Sequence, residues 1–138
     1  MSATDYNQPI IDEFRGNDGK AGGRFEGFPL LLLHHTGAKS GIERVNPLAY
    51  QRLGDDSVAV FASKGGAPSN PDWFHNLVAN PTTSIEIGAE SYRVKARVAT
   101  GEERERIWDA QKKAVPNFAT YEKTAGSREI PVVVLDKI

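Results

Sequence analysis

The chain contains no cysteine, a single methionine and only three histidines in 138 residues. Without thiols there is no disulfide, no thiolate metal site and no cysteine nucleophile. The histidines are His34, His35 and His75. Neighbours on a strand point to opposite faces, so His34 and His35 do not share one ion, and no His-x-x-x-His spacing helps them. They read as one packed and one exposed histidine, with no metal site. Neither sign of charge dominates. Seventeen Lys and Arg against eighteen Asp and Glu leave a net charge of −1, which argues against a general nucleic-acid binder. The longest apolar run, residues 28–33, is too short to span a bilayer. The opening residues are polar and glycine-rich rather than signal-like, so a cytoplasmic protein is expected, with peripheral membrane contact left open. Nucleotide motifs are missing too. Ala38 precedes Lys39 where a P-loop needs glycine, and there is no Gly-x-Gly-x-x-Gly or Gly-x-Ser-x-Gly.

What is present is a succession of short apolar runs separated by turn residues. Residues 1–28 read as a polar arm, with Ile10, Ile11 and Phe14 forming a short helical stripe after Pro9. Residues 29–138 read as one domain. Strands are predicted over 29–35, 44–53 and 57–62, the last with Val58, Val60 and Ala62 on one face. A helix follows, with Asn70 as its cap, Pro71 in its first turn and Asp72 at the positive end of its dipole. Asn80-Pro81 stops it. Residues 82–87 and 91–99 predict a hairpin around Gly88-Ala89-Glu90. Thr100-Gly101-Glu102-Glu103 fits a capping box opening a second helix, which Pro116 ends or kinks. A helical turn over 118–123 and a strand over 130–135 complete the chain. The fold class is therefore mainly β with flanking helices: a small, partly open barrel of about six mostly antiparallel strands with two to three helices.

Two loops concentrate the chemistry. Each follows an apolar run, and each sets cations among glycines and hydroxyls: Lys39 and Arg44 near Gly37 and Gly41, and Lys64 beside Gly65 and Gly66. Taken singly, any of these cations is as readily a solvated turn residue. Their surroundings favour a site. Asn46-Pro47 interrupts a strand where Arg44 can turn inward, the Lys64 loop opens directly before a helix N-terminus, and Trp73 and Phe74 follow. Cations, amides and aromatics together describe a pocket for an anionic, planar ligand. The carboxylate clusters Asp12-Glu13, Asp55-Asp56 and Glu102-Glu103-Glu105 lie at helix starts or turn tips, where solvation and capping account for them.

The pattern Leu-Leu-Leu-x-x-Thr-Gly-x-Lys-Ser-Gly-x-x-Arg-x-Asn-Pro-Leu over residues 31–48, with the segments 62–81 and 128–135, resembles the deazaflavin-dependent nitroreductase family. The likeness implies a split β-barrel that binds coenzyme F-420, a hydride carrier. It implies that Ala38, Lys39, Ser40 and Arg44 hold the anionic part, with Lys64 close by. Val45, Asn46, Pro47, Leu48 and Ala49 would border the ring from the second strand. Phe61, Ala62 and Ser63 would border it from the third, and Asp72, Trp73, Phe74, His75 and Asn76 from the first helix. Ser63 is the best candidate for a hydrogen bond to the acceptor. Tyr50 and Tyr121 are weaker candidates for proton donors, and Phe118 is a stacking residue. The implied reaction is hydride transfer to a quinone-like, nitroaromatic or other planar electrophilic acceptor, by a monomer or homodimer. An FMN oxidoreductase on the same barrel class and a non-catalytic deazaflavin carrier are the alternatives. A nitro-reducing relative has tyrosine where this chain has Ala49, and three tyrosines in the segment where only Tyr121 stands here. Turnover of bicyclic nitroimidazoles is therefore expected to be weak or absent.

Overall fold

Short apolar runs and turn residues resolve into β1 (Leu30–Thr36), β2 (Glu43–Arg52), β3 (Ser57–Phe61), α1 (Asp72–Ala79), β4 (Thr82–Ile87), β5 (Glu90–Val98), α2 (Gly101–Ala114), α3 (Asn117–Ala125) and β6 (Val132–Lys137). The structure is a computed structural model and describes residues 9, 11, 12, 14–16, 30–54, 56–62, 70–126 and 129–138. Helical residues also precede β1, among them Ile11 and Phe14; Ile10 lies outside the described residues. Every strand pairing is antiparallel, and the order β1-β2-β3-β6-β5-β4 closes on itself. Short turns return β2 beside β1, β3 beside β2 and β5 beside β4, while longer connections that include helices bring β4 against β1 and β6 against β3 and β5. The β4–β5 turn has Gly88 at φ 60°, a backbone angle that other residues seldom adopt.

The expected partly open barrel is thus closed in topology. The closing ladder is brief: Leu31, Leu32 and Leu33 pair with Ile87, Glu86 and Ile85. One gap remains within the wall. β2 pairs with β3 only at Tyr50↔Val60, Gln51↔Ala59 and Arg52↔Val58. Residues 43–49 of β2 are paired with β1 along one edge, and among the described residues their other edge has no strand partner.

Alternation along the strands builds two layers of core. Leu31, Leu33, Val58, Val60, Ile85, Val94, Val133 and Leu135 fill the interior, and Trp73 and Leu77 of α1 close one end of it. Six strands enclose only side chains, so no lumen is left. The outward residues Ala59, Phe61, Val132 and Val134 carry α2 and α3 through Ile107, Trp108 and Phe118. Leu30 and Leu32 carry Ile11 and Phe14. Two ties hold these layers on the wall. Arg15 grips Glu86 with two hydrogen bonds of 3.1 and 2.7 Å. The buried Arg104 donates to the Ile130 carbonyl at 2.8 Å.

The helix starts differ from expectation. Pro71, not Asn70, is the N-cap of α1, and it has no side chain able to cap. Thr100 does cap α2 by position, but no side-chain capping bond forms. Glu103 turns instead to the Arg97 guanidinium, at 2.6 and 3.0 Å, a charge-assisted pair stronger than a neutral cap. Strand ends shift by one or two residues from those read in the sequence, as fraying ends commonly do. Among the described residues no helix is long and apolar enough to cross a membrane.

Candidate functional site

β1 sends its two histidines to opposite faces, as strand geometry requires. His34 lies outside, 2.9 Å from Glu43 and 2.7 Å from Glu86. His35 is inward-facing and only 2 % exposed. It is held by two amides: its Nε2 lies 2.7 Å from Asn46 Oδ1, and its Nδ1 lies 2.9 Å from Asn76 Nδ2. An amide oxygen can only accept and an amide nitrogen can only donate. Nε2 therefore carries the proton, Nδ1 accepts, and the ring is neutral. Burial pushes the His35 pKa below its ordinary value, and nearby Arg44 adds to the effect against the opposing Asn46 hydrogen bond. Asn76 Oδ1 in turn accepts from the amide of Ala38 at 3.0 Å. A continuous chain thus runs from the barrel wall through His35 to α1 and on to the β1–β2 loop.

That loop carries Lys39 and Ser40, both exposed. Gly37 donates to Ile42 O at 2.9 Å and accepts from Gly41 at 3.0 Å, while Ser40 Oγ accepts from Ile42 at 3.2 Å. A Cβ at Gly37 would stand 2.3 Å from Ser40 Oγ, and Gly41 has φ +71°. The Ser40 hydroxyl could rotate away from a Cβ at 37, whereas at 41 the left-handed turn favours glycine. Among the described residues, nothing accepts from the N–H groups of Lys39 or Ser40. A lysine head, two open amides and the half-buried Arg44 across the strand end make a surface suited to a phosphate or carboxylate.

Beside it lies the open edge of β2. Pro47 pairs with Leu32 in register but has no N–H to give. Such a residue is tolerated only where its N–H side is not needed by a ladder, so Pro47 turns that side away from β1. Val45 and Ala49 share its parity and direct backbone polar groups the same way. Arg44, Asn46 and Leu48 instead share the inward face with His35, Leu33 and Leu31, their partners in register. The five residues Val45 to Ala49 therefore do not present one continuous side-chain face. They offer a backbone edge flanked by the side chains of Arg44 and Asn46.

The other expected site residues divide. Asp72 and His75 of α1 are exposed, Phe74 is half-buried against the interior and Trp73 is buried within it. Asn76, expected beside a ring, is instead the buried centre of the histidine relay. Ala62 is buried at the end of β3. Ser63 and Lys64 lie outside the described residues. Phe61 and Phe118 are packed on each other, with ring centroids 5.5 Å apart, and on Trp108. Their rings pack α2 and α3 onto the sheet. Tyr121 packs edge-on against Phe118 at 5.3 Å, outside the wall, whereas Tyr50 packs against the barrel interior. The sheet separates these two tyrosines, so the structure does not bring them to one site. A separate cavity of ≈ 270 Å³ opens on the other flank of α1, lined by Phe74, Val78, Pro81, Ala96, Val98 and Val133 among others. Sequence reasoning missed the role of His35, because a histidine in an apolar strand signals only that its polar atoms need partners. It missed Glu86 as well, since nothing local marks a strand glutamate that will meet Arg15 and His34.

Comparison with known proteins supplies a family. The family model described as F420H(2)-dependent quinone reductase matches residues 9–137. An F420H(2)-dependent quinone reductase of Mycobacterium tuberculosis (strain ATCC 25618 / H37Rv) is 40% identical over 127 residues, covering 90% of this chain and 85% of the relative. A solved structure described as an F420-H2 dependent reductase superposes with a TM-score of 0.70 at 39% identity, covering 78% of this chain and 94% of its own. Another, described as a domain-swapped dimer, gives 0.72 at 36% identity and covers 98% of this chain and 100% of its own.

Proposed function

The chain belongs to the F420H(2)-dependent quinone reductase family, and on that premise we propose that it is a cytoplasmic enzyme that passes a hydride from reduced coenzyme F-420 to a quinone. Coenzyme F-420 has an anionic tail and a planar tricyclic ring, and the residues present suit both. Lys39, Ser40 and Arg44, with the open amides of the loop, would hold the tail, and by the family likeness Lys64 would join them. The edge of β2 at Val45, Pro47 and Ala49, which has no strand partner among the described residues, would exchange hydrogen bonds with the ring's polar rim, while Asn46, Leu48 and Phe74 would bound it. When bound, the coenzyme supplies the hydride. The protein holds donor and acceptor in register and keeps water away. By the family likeness, Ser63 would donate a hydrogen bond to the acceptor oxygen as charge develops there.

The observation that carries this reading is the coincidence of the cationic loop with the edge of residues 43–49 of β2 that has no strand partner among the described residues. A quinone is favoured over a bicyclic nitroimidazole. Ala49 offers no hydroxyl, and Phe118 and Tyr121 are engaged in the outer packing layer. The solved relative described as a domain-swapped dimer favours a homodimer. The test is titration of the purified protein with coenzyme F-420 and with FMN, followed by addition of a soluble naphthoquinone to the protein and reduced coenzyme. Tight, salt-sensitive binding of F-420 and its oxidation on adding quinone are expected. Tighter FMN binding, or reduced coenzyme that persists across a panel of quinones, overturns the proposal.

A further inference from the structure

We propose that His35 is the positioning residue of the coenzyme site: its neutral ring locks Asn46 on β2 and Asn76 on α1, and through Asn76 it fixes the anion-binding loop at Ala38. This inference rests on the coenzyme reading above and adds to it a residue that touches no ligand.

The argument is one of polarity. The chain Asn46 Oδ1, His35 Nε2, His35 Nδ1, Asn76 Nδ2, Asn76 Oδ1, Ala38 N has contacts of 2.7, 2.9 and 3.0 Å between successive residues. Each donor in it meets one acceptor, and no member can be reversed alone. Asn46 and Ala38 lie at the two parts of the site, the β2 wall and the loop that carries Lys39 and Ser40. His35 is their shared anchor and is almost wholly buried, as is Asn76 at 7 % exposure. A buried network of this kind specifies one arrangement when it is complete and loses it when a member is mismatched.

Protonation supplies the mismatch. The imidazolium carries N–H on both nitrogens, so Nδ1 would face the Asn76 amide donor. Turning that amide over would satisfy His35 but set Nδ2 against the Ala38 N–H. One hydrogen bond is lost either way, and the loop is released. The charged groups around the ring are Arg44 from β2, Asp72 from α1 and His34 from its own strand; Arg44 and His34 oppose the imidazolium and Asp72 favours it.

The test compares wild type with His35→Phe, which fills the space without polar atoms, and His35→Gln. A glutamine amide can donate to Asn46 and accept from Asn76, yet it cannot be protonated. Coenzyme F-420 affinity is measured from pH 8 to pH 5. His35→Phe is expected to bind about tenfold more weakly at pH 7.5, and His35→Gln to restore most of that loss. Wild type should weaken on acidification relative to His35→Gln; the coenzyme's own titration is common to both and cancels in the ratio. Folding is checked by protection of the Leu31 and Val60 amides. Affinity in folded His35→Phe within twofold of wild type overturns the proposal, as does a His35→Gln profile parallel to wild type. Exchange of the Ala38 amide, followed by NMR without coenzyme, separates this inference from the functional one. Ala38 protected in wild type and His35→Gln but open in His35→Phe supports the relay even if F-420 fails to bind. Equal protection in wild type and His35→Phe refutes it whatever the coenzyme does. Should His35→Phe not fold, the ratio of wild type to His35→Gln across pH decides the question.

Discussion

At the scale of single residues, the site depends on a few polar atoms whose partners are fixed by strand parity. On the proposed coenzyme reading, Lys39→Ala and Arg44→Ala would each remove one charge-assisted contact to the anionic tail, a loss of about 1.5–3 kcal/mol. Coenzyme titration should show affinities weaker by about ten- to a hundredfold, with thermal unfolding little changed, because Lys39 is exposed and Arg44 only half-buried. His35 acts on stability as well as on position. Its pKa is lowered from 6.5 in the fold, so below that value the unfolded chain binds the extra proton first. Stability is thus present in full above about pH 6.5 and declines as pH falls toward the depressed folded value. Chemical denaturation at pH 7.5 and 5.5 should show a smaller drop for His35→Gln than for wild type. Much of this was legible beforehand. Lys39, Arg44 and Asn46 stand among glycines and a strand-breaking proline, a local signal. The relay was not legible, because Asn76 is separated from His35 by 41 positions and only folding makes them neighbours.

At the scale of elements, the loop between β1 and β2 and the outer helical layer carry the separable tests. Gly41 has φ +71°, so Gly41→Ala adds about 1–2 kcal/mol of left-handed strain where a Cβ meets no neighbour. It should lower coenzyme affinity and stability together, as read by titration and melting. Trp108 is 1 % exposed and packs on Phe61 and Phe118, while its indole donates to Glu122. Trp108→Ala should cost about 3–5 kcal/mol in denaturant unfolding. Among the described residues each strand and helix was anticipated, because it announced itself by period and by punctuation. The failures were at helix starts. The sequence around Thr100 meets the rule for a capping box, yet Arg97, three residues before it, offers Glu103 a better partner. Phe118 misled for a related reason. Its place in a short helix said that it would be apolar and half-covered, but not that Phe61 and Trp108 would cover it.

At the scale of the whole molecule, the wall is unevenly joined. β3 and β6 share five register pairs, whereas β1 and β4 share three, reinforced by Thr83 Oγ1 donating to the His34 carbonyl at 2.6 Å and by the 2.7 Å contact between His34 and Glu86. Native-state hydrogen exchange should find the β1–β4 amides opening before those of β3 and β6. Glu86→Gln should widen that difference, since the pair with Arg15 also holds the Glu86 pKa below its ordinary value. Coenzyme present at a hundred times its Kd should stabilise the whole fold by about 2.7 kcal/mol, visible as a raised melting temperature. Closure itself escaped the sequence reading, because a pairing between the first and fourth strands leaves no local trace. It has one further consequence. A cylinder this narrow is solid, so whatever it handles must be carried on its rim. Changes of acceptor preference can then be made by exchanging rim loops while the staves beneath stay as they are.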